Sequence, residues 1–135
     1  MEEFARQKRG RDILVRIIIK KVPVKTAYIS QRNSKTDFPV LTCAVGIEAQ
    51  GKVRVAVGAR PAKAVLVKDE KGILRGFSQM DDQQKAAAAE AFGEYAAQTV
   101  VTGSNMRASA QYRTHLVKVL VKRALKQAGG VDSGN

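Results

Sequence analysis

Leu41, Cys43, Val45 and Ile47 alternate with smaller or polar residues, and Val53, Val55 and Val57 do the same after Ala49, Gln50 and Gly51. Each run has one apolar face and reads as a strand. A two-residue loop of Gln50 and Gly51 would set Ile47 opposite Arg54 and Val45 opposite Ala56, placing the apolar row of one strand beside the outward row of the other. A three-residue loop of Ala49, Gln50 and Gly51 instead pairs Ile47 with Val53, Val45 with Val55 and Cys43 with Val57, all on one face. Gly51 then takes the left-handed position that closes such a loop.

Other stretches predict further extended structure. Ile13 to Ile19 is rich in isoleucine and valine, broken only by Arg16, and predicts a strand that stops near Pro23. Lys25 to Arg32 predicts a second extended piece, Asn33 to Asp37 a polar loop, and Ala64 to Val67 a strand between Pro61 and the turn-forming Asp69 to Gly72.

Two helices follow. Asp81 and Asp82 stand where a helix start favours acids, and alanines run on to Phe92 and Tyr95, with Gly93 weakening the helix without forbidding it. The second helix begins after Gly103, Ser104 and Asn105 and reaches about Gln127, with Gly129 and Gly130 at its end. On it Tyr112, Leu116, Leu120 and Ala124 form one stripe, Val117, Val121 and Leu125 widen it, and Lys118, Lys122 and Lys126 line another face. The fold class implied is α+β: a three- to four-stranded antiparallel sheet with helices packed on one face, the hairpin's apolar side meeting the Tyr112, Leu116, Leu120 stripe.

Charge adds a preference in partners. The chain of 135 residues carries a formal +12, and the excess sits at the two ends. Residues 1–35 hold ten bases against three acids, and residues 104–126 hold six bases and no acid. Such asymmetry points to an acidic partner: a nucleic acid, a phosphate-bearing cofactor or another subunit. No apolar stretch is long enough to span a bilayer, and the charged start lacks the apolar core of a secretory signal, so the reading is cytoplasmic. Cys43 is the only cysteine, which excludes an internal disulfide and a cysteine cluster for metal.

The inventory for catalysis is thin. His115 is the single histidine, on the last helix among Arg113, Thr114 and Lys118, and a surface or packing role suits it best. Asp81 and Asp82 are explained by capping. Neither a Walker loop nor G-x-G-x-x-G is present, so no phosphate-cradling loop is visible. A small basic nucleic-acid-binding module is the rival class, but the aromatics are scattered and no helix-turn-helix spacing is evident. Solvated faces or subunit contacts account better for the charge.

The stretch S-N-M-R-A-S-A-Q-Y-R-T-H-L-V-K-V-L-V-K-R-A-L, Ser104 to Leu125, closely resembles the closing helix of the flavoprotein subunits of carbon monoxide dehydrogenase, xanthine dehydrogenase and related molybdenum hydroxylases, whose pattern runs S-D-x-R-A-S-A-x-Y-R. Upstream, A-Y-I-S-Q-R-N-S-K-T-D-F-P-V-L from Ala27 to Leu41 resembles the family's A-Y-x-K-x-x-R-R-x-x-D-F entry to its first hairpin. The hairpin, G-A-R-P from Gly58 and the alanine-rich helix fall in family order. The resemblance covers about residues 12–127. It makes residues 1–11, with Glu2, Glu3 and Phe4, a remnant of a preceding FAD domain or a linker, and leaves 128–135 as a flexible tail.

Membership would imply the C-terminal capping domain of an FAD-binding subunit, which supports electron transfer from iron-sulfur clusters to FAD. It would make the chain a fragment of an oxidoreductase subunit, inactive alone and binding no FAD by itself. The implied partners are the N-terminal FAD domain, a molybdopterin-binding large subunit and an iron-sulfur small subunit, with self-association left open. By the same resemblance Tyr28 is the candidate for contact with the isoalloxazine ring, with Arg32 and Asp37 on the same approach; the alternative for Tyr28 is packing within a strand. Ser30 stands where many relatives have lysine, and Asn105 where they have aspartate, a residue that could still cap a helix.

Overall fold

The computed structural model describes Gly10, residues 13–19 and residues 21–131. Four strands form one antiparallel sheet in the order β1-β2-β3-β4: β1 Val24–Gln31, β2 Leu41–Glu48, β3 Val53–Gly58 and β4 Val65–Val67. Two helices, α1 Asp82–Thr99 and α2 Ala110–Gly129, follow. This is the expected α+β arrangement.

The hairpin has the register that its apolar alternation demands. Cys43 pairs with Val57, Val45 with Val55 and Ile47 with Val53. Gly51 sits at φ 83° and donates its N–H to the Glu48 carbonyl at 2.8 Å, a left-handed geometry that a Cβ would strain. Leu41, Cys43, Val45, Val55 and Val57 are all buried. On the same side of the sheet lie Leu116, Val117, Leu120, Val121, Ala124 and Leu125 of α2, also buried, and α2 packs on β1 and β2. Tyr112 departs from the predicted stripe: it is 43% exposed at the first turn of α2, before the helix comes fully over the sheet.

The helix ends are built from local chemistry. Asp81 caps α1, accepting from the Gln84 N–H while the Gln84 side chain accepts from the Asp81 N–H, a reciprocal capping box. Ser109 caps α2 by accepting from the Tyr112 N–H. At the other end Gly130 is left-handed, its N–H reaching Gln127 O and the Val131 N–H reaching Lys126 O, the paired bonds of a glycine-terminated helix. Helix α2 therefore runs through Gly129, past the 127/128 boundary; residues 132–135, the rest of the expected tail, lie outside the described residues, as do Glu2, Glu3 and Phe4.

Ile13 to Ile19 does not form the predicted strand. It has no regular secondary structure, and its apolar side chains are exposed. A strand with an apolar face needs both an edge to pair with and a layer to bury against. Here the two helices already cover the inner face of the four strands.

Cys43 lies fully buried in this core, and burial pushes its thiol up to about 12. It stays a thiol at neutral pH. Because the folded value lies above the free thiol's value of about 9, the stability it contributes is complete below pH 9 and is lost as pH rises toward 12. The difference in unfolding free energy between the parent and Cys43→Ala is expected to narrow by about 1.4 kcal/mol per pH unit above pH 9. Urea titrations at pH 8 and pH 10 measure it; an unchanged difference refutes the assignment.

Candidate functional site

The described residues leave the outer face of the sheet open. Successive residues of a strand alternate sides, so Thr26, Tyr28 and Ser30 of β1 point away from the helices. The register carries Tyr28 beside Ala44, Ala44 beside Ala56 and Ala56 beside Leu66, one row across all four strands. Small residues in the middle of that row leave a shallow trough of about 330 Å³, floored by Ala44, Gly46 and Ala56 and bounded by Tyr28, Arg54 and Leu66. Tyr28 is 61% exposed. Its ring is thus a wall of this trough and no part of the core.

Arg32 and Asp37 meet at the connection between β1 and β2. The Arg32 Nη1 donates to the Asp37 carbonyl at 2.8 Å, and its Nε reaches back to Ser30 Oγ at 3.5 Å. Ser30 occupies the place where the resemblance expects lysine, and the Arg32 guanidinium lies beside it. The Asp37 carboxylate turns elsewhere: Oδ1 accepts from Arg107 Nε at 3.2 Å and from the Phe38 N–H at 2.7 Å. The Arg107 guanidinium, then the Phe38 amide, hold the carboxyl below its ordinary range. The structure therefore brings Arg32 and Asp37 into contact, while Tyr28 stands apart from them in the trough.

Behind this connection lies a residue that periodicity alone assigned no role. Arg113, only 1% exposed, precedes Leu116, Val117 and Leu120 on the buried stripe of α2. Its Nε donates to Val40 O at 3.0 Å, Nη1 to Gly103 O at 2.6 Å and Ala108 O at 2.7 Å, and Nη2 to Asn105 Oδ1 at 2.7 Å. Burial, and after it the charge of Arg107, lowers its pKa. Asn105 Oδ1 also accepts from the Arg107 N–H at 2.9 Å. Asn105 thus bridges two arginines, and Ser109 caps the helix in its stead. The signal for Arg113 was its spacing of three, four and seven residues from buried apolar positions, which puts a cation on the inner face.

Several bases that made the chain look nucleic-acid-binding are engaged internally. Lys118 pairs with Glu94 and Lys122 with Glu90 across the two helices, Arg107 pairs with Asp37, and Arg113 is buried. At the helix starts Asp81 accepts from the Gln84 amide of α1, and Ser104 and Ser109 accept from the Ala110 and Tyr112 amides of α2. Among the described residues no group of three or more His, Cys, Asp or Glu gathers to hold a metal, and no helix is long and apolar enough to cross a membrane. A cleft of about 530 Å³ between Pro23, Ile47, Phe77 and Gly129 contains none of Tyr28, Arg32 and Asp37.

The class defined is an α+β domain whose sheet has one face covered by helices and one face open. The CO dehydrogenase flavoprotein C-terminal domain family matches residues 26–128, and the chain belongs to it. It is a domain of the flavoprotein subunit of that oxidoreductase family. Similar solved structures include carbon monoxide dehydrogenase from Hydrogenophaga pseudoflava, 24% identical with a TM-score of 0.63 over 82% of this chain and 38% of that one. Quinoline 2-oxidoreductase from Pseudomonas putida 86 is 22% identical, TM-score 0.59, over 79% and 37%. Carbon monoxide dehydrogenase from Oligotropha carboxidovorans is 18% identical, TM-score 0.62, over 81% and 38%. These likenesses establish the fold. The chain spans less than two-fifths of each of those three chains. A comparison with curated protein sequences returns no match.

Proposed function

We propose that this domain caps the FAD domain of a xanthine dehydrogenase-like molybdenum hydroxylase, in a cytoplasmic assembly with a molybdopterin-binding large subunit and an iron-sulfur small subunit. FAD, when bound, supplies the chemistry of accepting electrons from the iron-sulfur clusters. The observation that carries the reading is the open sheet face, with the exposed ring of Tyr28 beside a floor of Ala44, Gly46 and Ala56. That trough fits one face of a planar ring, since the small residues leave room and the tyrosine offers an aromatic wall. The phosphates would be held by the partner domain, because this sequence carries no glycine-rich phosphate loop. In this arrangement Tyr28 borders the isoalloxazine ring. Arg32, just past the end of β1, brings positive charge, and Asp37 holds the approach through Arg107.

The chain alone is expected to bind FAD negligibly, and to increase FAD retention when mixed with its cognate FAD domain. Flavin fluorescence titrations read both results. Tight FAD binding by these 135 residues alone, or no change on adding the FAD domain, would overturn the capping role. Tyr28→Leu should alter flavin emission in the assembled pair; identical emission would remove Tyr28 from the ring contact.

A further inference from the structure

The cleft between Pro23, Ile47, Phe77 and Gly129 lies where the helical layer over the sheet runs out. Helix α2 stops at Gly129, and the single 3-10 turn Phe77–Gln79 continues the cover with one buried ring, that of Phe77. A space of about 530 Å³ is left between them and the sheet. Its floor is apolar, for Ile47, Phe77 and Ala128 are all buried. Gly129 permits the close convergence, since a Cβ there would lie 3.0 Å from Phe77 Cε1 and 3.6 Å from Lys85 Cδ. The Lys85 stem thus lies beside the end of α2.

Lys25 breaks the pattern of its own strand. Alternation puts Lys25, Ala27 and Ile29 on the helix-facing side of β1, and the pairing of Lys25 with Ile47 sets it beside a buried apolar neighbour. Ala27 is buried and Ile29 packs on the core. Lys25 instead brings an exposed charge to the cleft, and no carboxylate among the described residues pairs with it. Lys85 lines the cleft from α1, its side chain 15% exposed, and its ion pair with the exposed Asp82 spans 3.8 Å. Such a pair is weak and leaves the ammonium available. Glu48 is the acid that lines the cleft, and Arg54 already holds its carboxylate at 2.8 Å. An apolar floor therefore meets two cations and no free acid.

We propose that this cleft binds a small amphiphilic carboxylate, its apolar chain against Ile47, Phe77 and Ala128 and its carboxylate met by Lys25 and Lys85. The volume is that of an ordinary small-ligand pocket, apolar with a few polar groups that fix orientation. Charge complementarity selects an anion over a neutral amphiphile of the same length. The site is separate from the Tyr28 trough and does not rest on the capping role.

Titration of the purified chain with sodium octanoate, followed by calorimetry and heteronuclear NMR, tests the proposal. One saturable site with a dissociation constant below about 1 mM is expected, with the shifted resonances concentrated at Ile47, Phe77 and Gly129. Octanol, which has the same chain and no charge, should bind at least about tenfold more weakly. Lys25→Met and Lys85→Met should each weaken octanoate binding roughly tenfold while keeping the parent's unfolding midpoint, since methionine retains the apolar stem. Arg123→Met, which removes an exposed base outside the cleft, should bind like the parent. Octanol binding as tightly as octanoate, parent-like binding by both lysine variants, or no saturable site would overturn the proposal. Displacement of bound octanoate by the cognate FAD domain would assign the cleft to a protein contact, and so refute the ligand site while leaving the capping role standing.

Discussion

Arg113→Met is expected to destabilise the domain by about 4 kcal/mol, because it removes four hydrogen bonds at once: Asn105 Oδ1 and Ala108 O keep a second donor, the Arg107 and Asn105 N–H groups, but Val40 O and Gly103 O lose the guanidinium in a buried or half-buried place. Each unsatisfied acceptor costs roughly 1–3 kcal/mol, and water entering the space offsets part of the total. The acceptors belong to two separate pieces of chain: Val40 at the entry to β2, and the segment from Gly103 to Ala108 that holds the tight turn. Losing Arg113 therefore unties the β1–β2 connection from α2 and releases Asn105, which positions Arg107. The melting temperature should fall by roughly 15 °C for a domain of this size. Arg113→Lys separates charge from shape. An ammonium keeps the positive charge but delivers its donors from one point, whereas the guanidinium reaches Val40 and Asn105 from two different nitrogens of one rigid plane. The lysine variant should lose nearly as much as methionine. Thermal and urea unfolding of both variants measure the effect; parent-like stability in Arg113→Lys would show that charge alone matters.

Gly93→Val should cost about 3 kcal/mol, an overpacking penalty. A glycine in the middle of a helix ordinarily marks a weak point, and its replacement by alanine stabilises by about 1 kcal/mol. Here the sign reverses. A Cβ on Gly93 would lie 2.8 Å from the Lys118 carbonyl oxygen and 3.6 Å from the Lys122 Cβ. The nearer obstacle is backbone of α2, which cannot rotate aside. Either helix must shift, and the ion pairs of Lys118 with Glu94 and Lys122 with Glu90 move with it. Those pairs are partly exposed and individually weak, so the packing contact dominates. Even Gly93→Ala is expected to be destabilising, since its propensity gain is smaller than the close-contact cost. Urea midpoints of the two variants decide this, and a stabilised Gly93→Ala would mean that the helices can separate freely.

The elements that the sequence made legible are those whose causes are local. Alternation at Leu41, Cys43, Val45 and Ile47, with Gly51 closing the loop, specified the hairpin register, because a slip by one residue would turn every apolar side chain outward. Asp81 and Gln84 carry the start of α1, and Gly130 the end of α2, in residues close enough to bond to their own helix. Where a residue's role depends on distant chain, the same reasoning fell short. Ile13 to Ile19 has every preference of a strand, but it pairs with neither edge strand of the sheet, β1 or β4, and has no apolar layer to bury its side chains against. Tyr112 repeats with Leu116 and Leu120, yet the first turn of α2 lies at the margin of the core.

The candidate site divides in the same way. Ala27 to Phe38 and Ser104 to Arg113 were each recognisable as family segments, and Tyr28, Arg32 and Asp37 were singled out from the first. What sequence could not supply was their meeting. Arg107 and Asp37 are 70 residues apart, and Arg113 and Val40 are 73 apart. Short-range preference fixed the strands, the turn at Gly51, the caps and the buried faces, because each follows from backbone geometry and the burial of neighbouring apolar groups. Only the folded chain decided that Gly93 must be small, that Arg113 must be a buried fork, and that Lys25 and Lys85 border one apolar cleft. Those roles arise from distances between segments, and no local pattern encodes a distance to a part of the chain it does not contain.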